Sequence, residues 1–138
     1  MPDLSIGLLI VLFLILAAEF VNGWTDAPNA IATVVSTRVL APGPAVIMAT
    51  ILNFLGTLSG IAVATTIGKG IIAPDSISLL TIGAAMVGIV IWSTLAWYYG
   101  LPTSESHGLV AGLAGASFAT AGPGALVAAG WSKVFIGI

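Results

Sequence analysis

Glu19-Phe20-Val21-Asn22-Gly23-Trp24-Thr25-Asp26-Ala27-Pro28-Asn29-Ala30-Ile31-Ala32-Thr33-Val34-Val35-Ser36-Thr37-Arg38 holds two of the chain's five acids and one of its three bases. Its polar residues Glu19, Asn22, Asp26, Asn29 and Thr33 recur at intervals of three, four, three and four. On a helix that spacing sets them along one stripe, with Phe20, Val21, Trp24, Ala27, Ile31 and Val34 covering the rest. The result is a narrow polar seam in an apolar body. Lipid does not tolerate such a seam, so it must face protein, water or a solute. An acid inside a membrane costs on the order of 2.5–3.5 kcal/mol on insertion scales. Two acids and two amides on one face therefore read as a site rather than as helix-packing glue. Their oxygens are hard donors, suited to Na+ or a proton and not to a soft metal.

The composition around the seam decides the class. Hydrophobic residues make up 59% of the chain and charged residues 6%, against about a quarter charged in soluble domains. With a mean hydropathy of +1.18 and several long apolar tracts, the expectation is an all-α, polytopic membrane protein in a single domain, residues 1–138. No cysteine is present, which excludes disulfides and thiolate metal sites. Three scattered bases and a net charge of -2 leave no basic patch for nucleic acid. Met1-Pro2-Asp3 carries an acid and no base, and no small-x-small site precedes Glu19, so the first apolar tract reads as a retained span, not a leader.

That tract, Leu4 to Val21, reaches about 27 Å as a helix. Pro28 cannot donate to the Trp24 carbonyl, so a break is expected just before it. Asp26 would then cap a second half-helix, with a gap for a cation between the arms. Ala41-Pro42-Gly43-Pro44 reads as a turn. A second span runs from Ala45 to Ile67 and carries Asn53 and a Gly56–Gly60 close-contact pair. A loop from Gly68 to Ser76 leads to a third span, Ile77 to Tyr99, whose Trp92, Trp97, Tyr98 and Tyr99 suit a membrane interface. The apolar run Leu109 to Ala121 is short for a crossing and predicts a re-entrant half-helix. Gly108, Gly112 and Ala116 give it a close-packing face. Ala125 to Ile138 reads as the start of a further helix, and its stop inside an apolar run predicts a fragment of a longer chain.

Between the third span and the short run lies Thr103-Ser104-Glu105-Ser106-His107. A hydroxyl-rich helix start with orphan N–H groups suits an oxyanion, although Ser and Thr cap helices everywhere. His107 fits a buried structural histidine, a proton carrier or an anion donor equally well. Ser104 and His107 are close in sequence, but triads draw their members from separate parts of a fold. Neither a GxSxG elbow nor an HExxH motif occurs, so a hydrolase reading is disfavoured.

Asn22-Gly23-Trp24-Thr25-Asp26-Ala27-Pro28-Asn29-Ala30-Ile31-Ala32-Thr33 and Gly100-Leu101-Pro102-Thr103-Ser104-Glu105-Ser106-His107 together resemble the two signatures of the Pit-type inorganic phosphate transporters. Asn53 resembles the residue that bacterial members carry between them. The resemblance implies one half of an inverted-repeat symporter in a bacterial or archaeal cell membrane, moving phosphate with Na+ or H+ through a midplane site and using no other cofactor. It implies phosphate binding by Thr103, Ser104, Ser106 and His107 with Asp26 and Asn29. Cation binding or coupling would fall to Glu19, Asn22, Asp26, Asn29, Thr33, Asn53 and Glu105. Glu105 departs from the Ser or Thr of many members. A carboxylate beside a dianion requires a proton or a bridging cation, so Glu105 is expected to couple a proton or a divalent metal to the phosphate. The expected partners are membrane lipid and either a second inverted repeat or an antiparallel second copy, with a homodimer as one form of assembly. A sulfate permease of the same family, an uncoupled anion channel and a structural membrane subunit are the alternatives.

Overall fold

The computed structural model describes residues 5–59 and 70–137. Among the described residues the α-helices run in order: α1 Ile6–Ser36, α2 Pro42–Ser59, α3 Leu79–Tyr98, α4 Glu105–Ala121 and α5 Ala128–Gly137. Short 3-10 turns at Pro74–Ser76 and Pro123–Ala125 punctuate the later connections. Among the described residues there is no strand beyond one isolated antiparallel bridge, Ile72 with Leu126. The chain is all-α, as its composition predicts.

Local chemistry sets the helix ends. Ser5 caps α1 by accepting from the Leu8 amide at 3.2 Å, and Ser78 caps α3 by accepting from Thr81 at 3.1 Å. Helix α1 stops where Arg38 turns left-handed, with φ 59°. Helix α3 stops at Gly100, φ 67°, where the Leu101 amide reaches back to Ala96 at 2.8 Å.

Two sequence expectations change, and a third is left open. Helix α1 is one continuous helix with Pro28 inside it, so there is no break, no gap between two arms, and no capping by Asp26. Proline removes a single backbone bond, and a helix packed against neighbours in an apolar setting absorbs that loss. The Ala41–Pro44 stretch is not a free turn, because α2 begins at Pro42. Prolines fit a first helical turn, where amides lack partners anyway. Helix α4 starts at Glu105 and has 17 residues, about 26 Å of rise. That is at the lower edge of what crosses a bilayer, so its length alone does not demand a re-entrant course. The third span is matched within two residues at each end. The second is described only to Ser59, and Ile61–Ile67 and Gly60 lie outside the described residues. The expected Gly56–Gly60 contact pair therefore lies partly outside the described residues.

Helix α3 is the centre. Ala85, Met86 and Ile89 of α3 bury against Ala18 of α1, with Leu14, Ile15, Leu109, Leu113 and Ala116 packed around them. The glycine face of α4 meets α3 as the spacing predicts. A Cβ on Gly112 would lie 3.3 Å from both the Ala85 carbonyl oxygen and Ile89 Cγ1. Gly112→Val should therefore force α3 and α4 apart and lower stability by about 1–3 kcal/mol. Thermal unfolding in detergent checks this. A Gly112→Val melting curve superposed on wild type contradicts the packing, and Gly115→Ala, with open space at its Cβ, is the control.

Helices α1 and α3 are long and apolar enough to cross a membrane, with mean hydropathy of 2.3 and 2.0 in their most apolar windows. Much of their apolar surface faces outward: Phe13, Leu16 and Phe20 on α1 and Leu80 and Ile91 on α3 are all more than half exposed.

Candidate functional site

The two polar stretches meet at one end of the α1–α3 pair. Trp24 of α1 and Trp97 of α3 stack with ring centroids 4.6 Å apart and planes tilted by 53°. Beside them opens a cleft of about 430 Å³, lined by Thr25, Asp26 and Asn29 from α1, Trp97 from α3, and Gly100, Leu101, Pro102 and Thr103 from the α3–α4 connection. The left-handed Gly100 turns the chain so that this connection folds back over α1. Asp26 and Asn29 make no side-chain hydrogen bond among the described residues, so their donors and acceptors are available to a solute. Among the described residues the lining carries one acid and no base.

Helix α4 begins just past Thr103. Ser104 is its N-cap residue but its side chain makes no capping bond. The amides of Glu105, Ser106 and His107 precede the first intrahelical donor, Gly108, which bonds Ser104 at 3.0 Å. They therefore have no partner within the helix, at its positive end. Ser104, Ser106 and His107 are exposed around this terminus. Glu105 differs. Its Oε2 accepts from Ser93 Oγ of α3 at 2.7 Å, and its Oε1 is sealed from solvent without a hydrogen-bond partner. The carboxylate thus bonds back onto α3 and does not line the cleft. The charges of Asp26 and Glu19 both act on it across the α1–α4 space. Among the described residues, no three His, Cys, Asp or Glu side chains gather closely enough to hold a metal ion.

Other expected residues stand apart. On a continuous helix the seam from Glu19 to Thr33 extends about 21 Å, so it cannot close around one ion. Thr33 is exposed near the far end of α1, its carbonyl taken by Ser36 and Thr37. Asn22 accepts from Thr25 through its carbonyl at 3.4 Å. Asn53 is exposed and donates to Ala49 of its own helix at 3.0 Å, outside the cleft lining. Sequence reasoning did not single out Thr25 or Ser93. Ser93 and Thr94 follow Trp92 as a pair of hydroxyls in a largely apolar helix, and that was the only signal available.

Comparison with known proteins converges on one family. The profile described as "Phosphate transporter family" matches residues 22–138. A protein of Bacillus subtilis named a probable low-affinity inorganic phosphate transporter is 40% identical over 136 residues, covering 97% of this chain and 41% of that protein. One from Streptomyces halstedii with the same name is 45% identical over 121 residues, covering 86% of this chain and 57% of that protein. The low-affinity inorganic phosphate transporter PitA of Escherichia coli is 38% identical over 125 residues, covering 82% and 24% respectively. The chain thus spans about half the length, or less, of these relatives. No solved structure matches it.

Proposed function

The chain belongs to the phosphate transporter family, and from that premise we propose that it forms part of a secondary transporter carrying inorganic phosphate with Na+ or H+ across a cell membrane. The observation that carries this reading is the cleft, which joins the two polar stretches and offers Thr25, Asp26, Asn29 and Thr103 around a space without a base. Phosphate entering beside Asp26 meets a like charge, so it needs an accompanying positive species. An acid in the lining, with no base among its described residues, supports coupling to a cation.

In this reading Asn29 and Thr103 hold the anion, helped by Ser104, Ser106, His107 and the free amides at the α4 terminus. Asp26 takes the cation. Glu105, turned toward α3, responds to coupling without touching phosphate. The protein is multi-pass, and the exposed apolar faces of α1 and α2 are covered by lipid and by an inverted second half, on a longer chain or as an antiparallel copy. The relatives' names favour phosphate over sulfate.

Labelled phosphate uptake into proteoliposomes of the transport-competent protein tests this, with excess sulfate, and with Na+ and pH gradients imposed separately. The expected result is uptake that requires one of the gradients and survives sulfate. Suppression by sulfate as strong as by unlabelled phosphate would make this a sulfate permease, and uptake indifferent to both gradients would make it a channel.

A further inference from the structure

Ser93 lies outside the cleft and is only 2% exposed. Hydroxyls within apolar helices usually bond the carbonyl one turn back, as Thr50, Thr57 and Thr120 do here at 2.8, 2.9 and 2.9 Å. Ser93 instead gives its proton to Glu105 Oε2, twelve residues on and in the next helix. That bond uses one carboxylate oxygen and leaves Oε1 buried and bare. Among the described residues, the charged groups facing Glu105 are Asp26 and Glu19 of α1. Helix α3 contributes no charge, and His107 is the other titratable group at the start of α4. No base pairs with any of these acids among the described residues.

Resting on the transport reading above, we infer that Ser93 is a positioning residue for cation coupling. Its hydroxyl pins Oε2, so that Oε1 is held as the free oxygen within the field of the α1 acids. Glu105 then senses whether Asp26 carries its cation. A carboxylate free to rotate about its side chain would present either oxygen, or turn toward the cleft and repel the anion. Ser93 acts through Glu105 and touches neither phosphate nor the cation.

The test uses Ser93→Ala, Ser93→Thr, Glu105→Gln and the double variant Ser93→Ala/Glu105→Gln in reconstituted, transport-competent protein. Two readouts are taken: maximal phosphate uptake at saturating cation, and the concentration giving half-maximal uptake, for Na+ at fixed pH and for H+ without Na+. A hydrogen bond to a charged group corresponds to roughly tenfold or more in an equilibrium. Ser93→Ala is therefore expected to raise the half-saturating concentration of the driving cation by about tenfold while changing maximal uptake by less than about twofold. Ser93→Thr, which keeps the hydroxyl, should restore the wild-type requirement, and Ser93→Ala should add nothing on top of Glu105→Gln. An unchanged requirement in Ser93→Ala, equal damage by Ala and Thr, or multiplicative effects in the double variant overturns the inference while phosphate transport stands. Wild-type protein that moves no phosphate under either gradient removes the transport reading, and this inference with it.

Discussion

Asp26→Asn is expected to reduce phosphate uptake about a hundredfold or more while leaving the protein folded. Among the described residues Asp26 is the only acid in the cleft lining, and its side chain holds no hydrogen bond that the substitution would break. Asparagine keeps the shape and removes the charge. A charged ligand of this kind contributes about 3 kcal/mol, which is roughly two factors of ten. The loss should appear as a raised requirement for the coupling cation and a lower rate, with the thermal unfolding midpoint near that of wild type. Uptake within twofold of wild type would mean that Asp26 serves packing, and the cleft would lose its claim to the cation.

Gly130→Ala is expected to be the most damaging small substitution for the fold. The amide of Ala73 bonds Ala125 at 2.9 Å and that of Val127 bonds Ile71 at 3.0 Å, clipping the connection before α3 to the start of α5. Ile71, Ile72 and Ala125 are buried in this clip, at 4%, 2% and 1% exposure. A Cβ on Gly130 would overlap the carbonyl oxygen of Gly70. Backbone cannot move aside as a flexible side chain does, so α5 must lift away and both bonds are lost. Overpacking of about 1–3 kcal/mol, added to two bonds of about 1 kcal/mol each, predicts a loss of about 3–5 kcal/mol. Unfolding in detergent measures it, with Gly124→Ala as the control because its Cβ meets nothing within 4 Å. Equal stability of the two variants would show that the clip is not closely packed.

The parts of this molecule written in short-range chemistry were readable before any coordinates. Helix α3 is largely apolar, and its ends, set by the Ser78 cap and Gly100, fall within two residues of the expected span. The glycine face of α4 follows from four-residue spacing. Pro28 misled because its local cost, one missing bond, is smaller than what α1 gains by packing along α3. The clip was unreadable, since residues 71–73 and 125–127 carry no pattern and pair across more than fifty positions. The site divides the same way. The resemblance to known signatures brought Asp26, Asn29 and Thr103 into one expectation, and the cleft joins them. It did not indicate that the seam stretches too far to act as one nest. Nor did it show that Glu105 bonds back onto α3, because that depends on how α4 is rotated against its neighbour.

The stacked Trp24 and Trp97 carry a consequence for depth. Trp97 is next to the last residue of α3, and Tyr98 and Tyr99 follow it with 74% and 69% exposure. Helix α3 is about 30 Å long, the thickness of the hydrocarbon, so if it crosses upright its last turn lies among the lipid headgroups, where tryptophan and tyrosine gather. Asp26, some 30 Å along α1 from Ile6, reaches the same level. The cleft then opens at a water-facing rim and not at the bilayer centre. An ion arriving from that side would meet Asp26 without giving up its whole hydration shell first, and the costly part of its passage would begin only beyond this threshold.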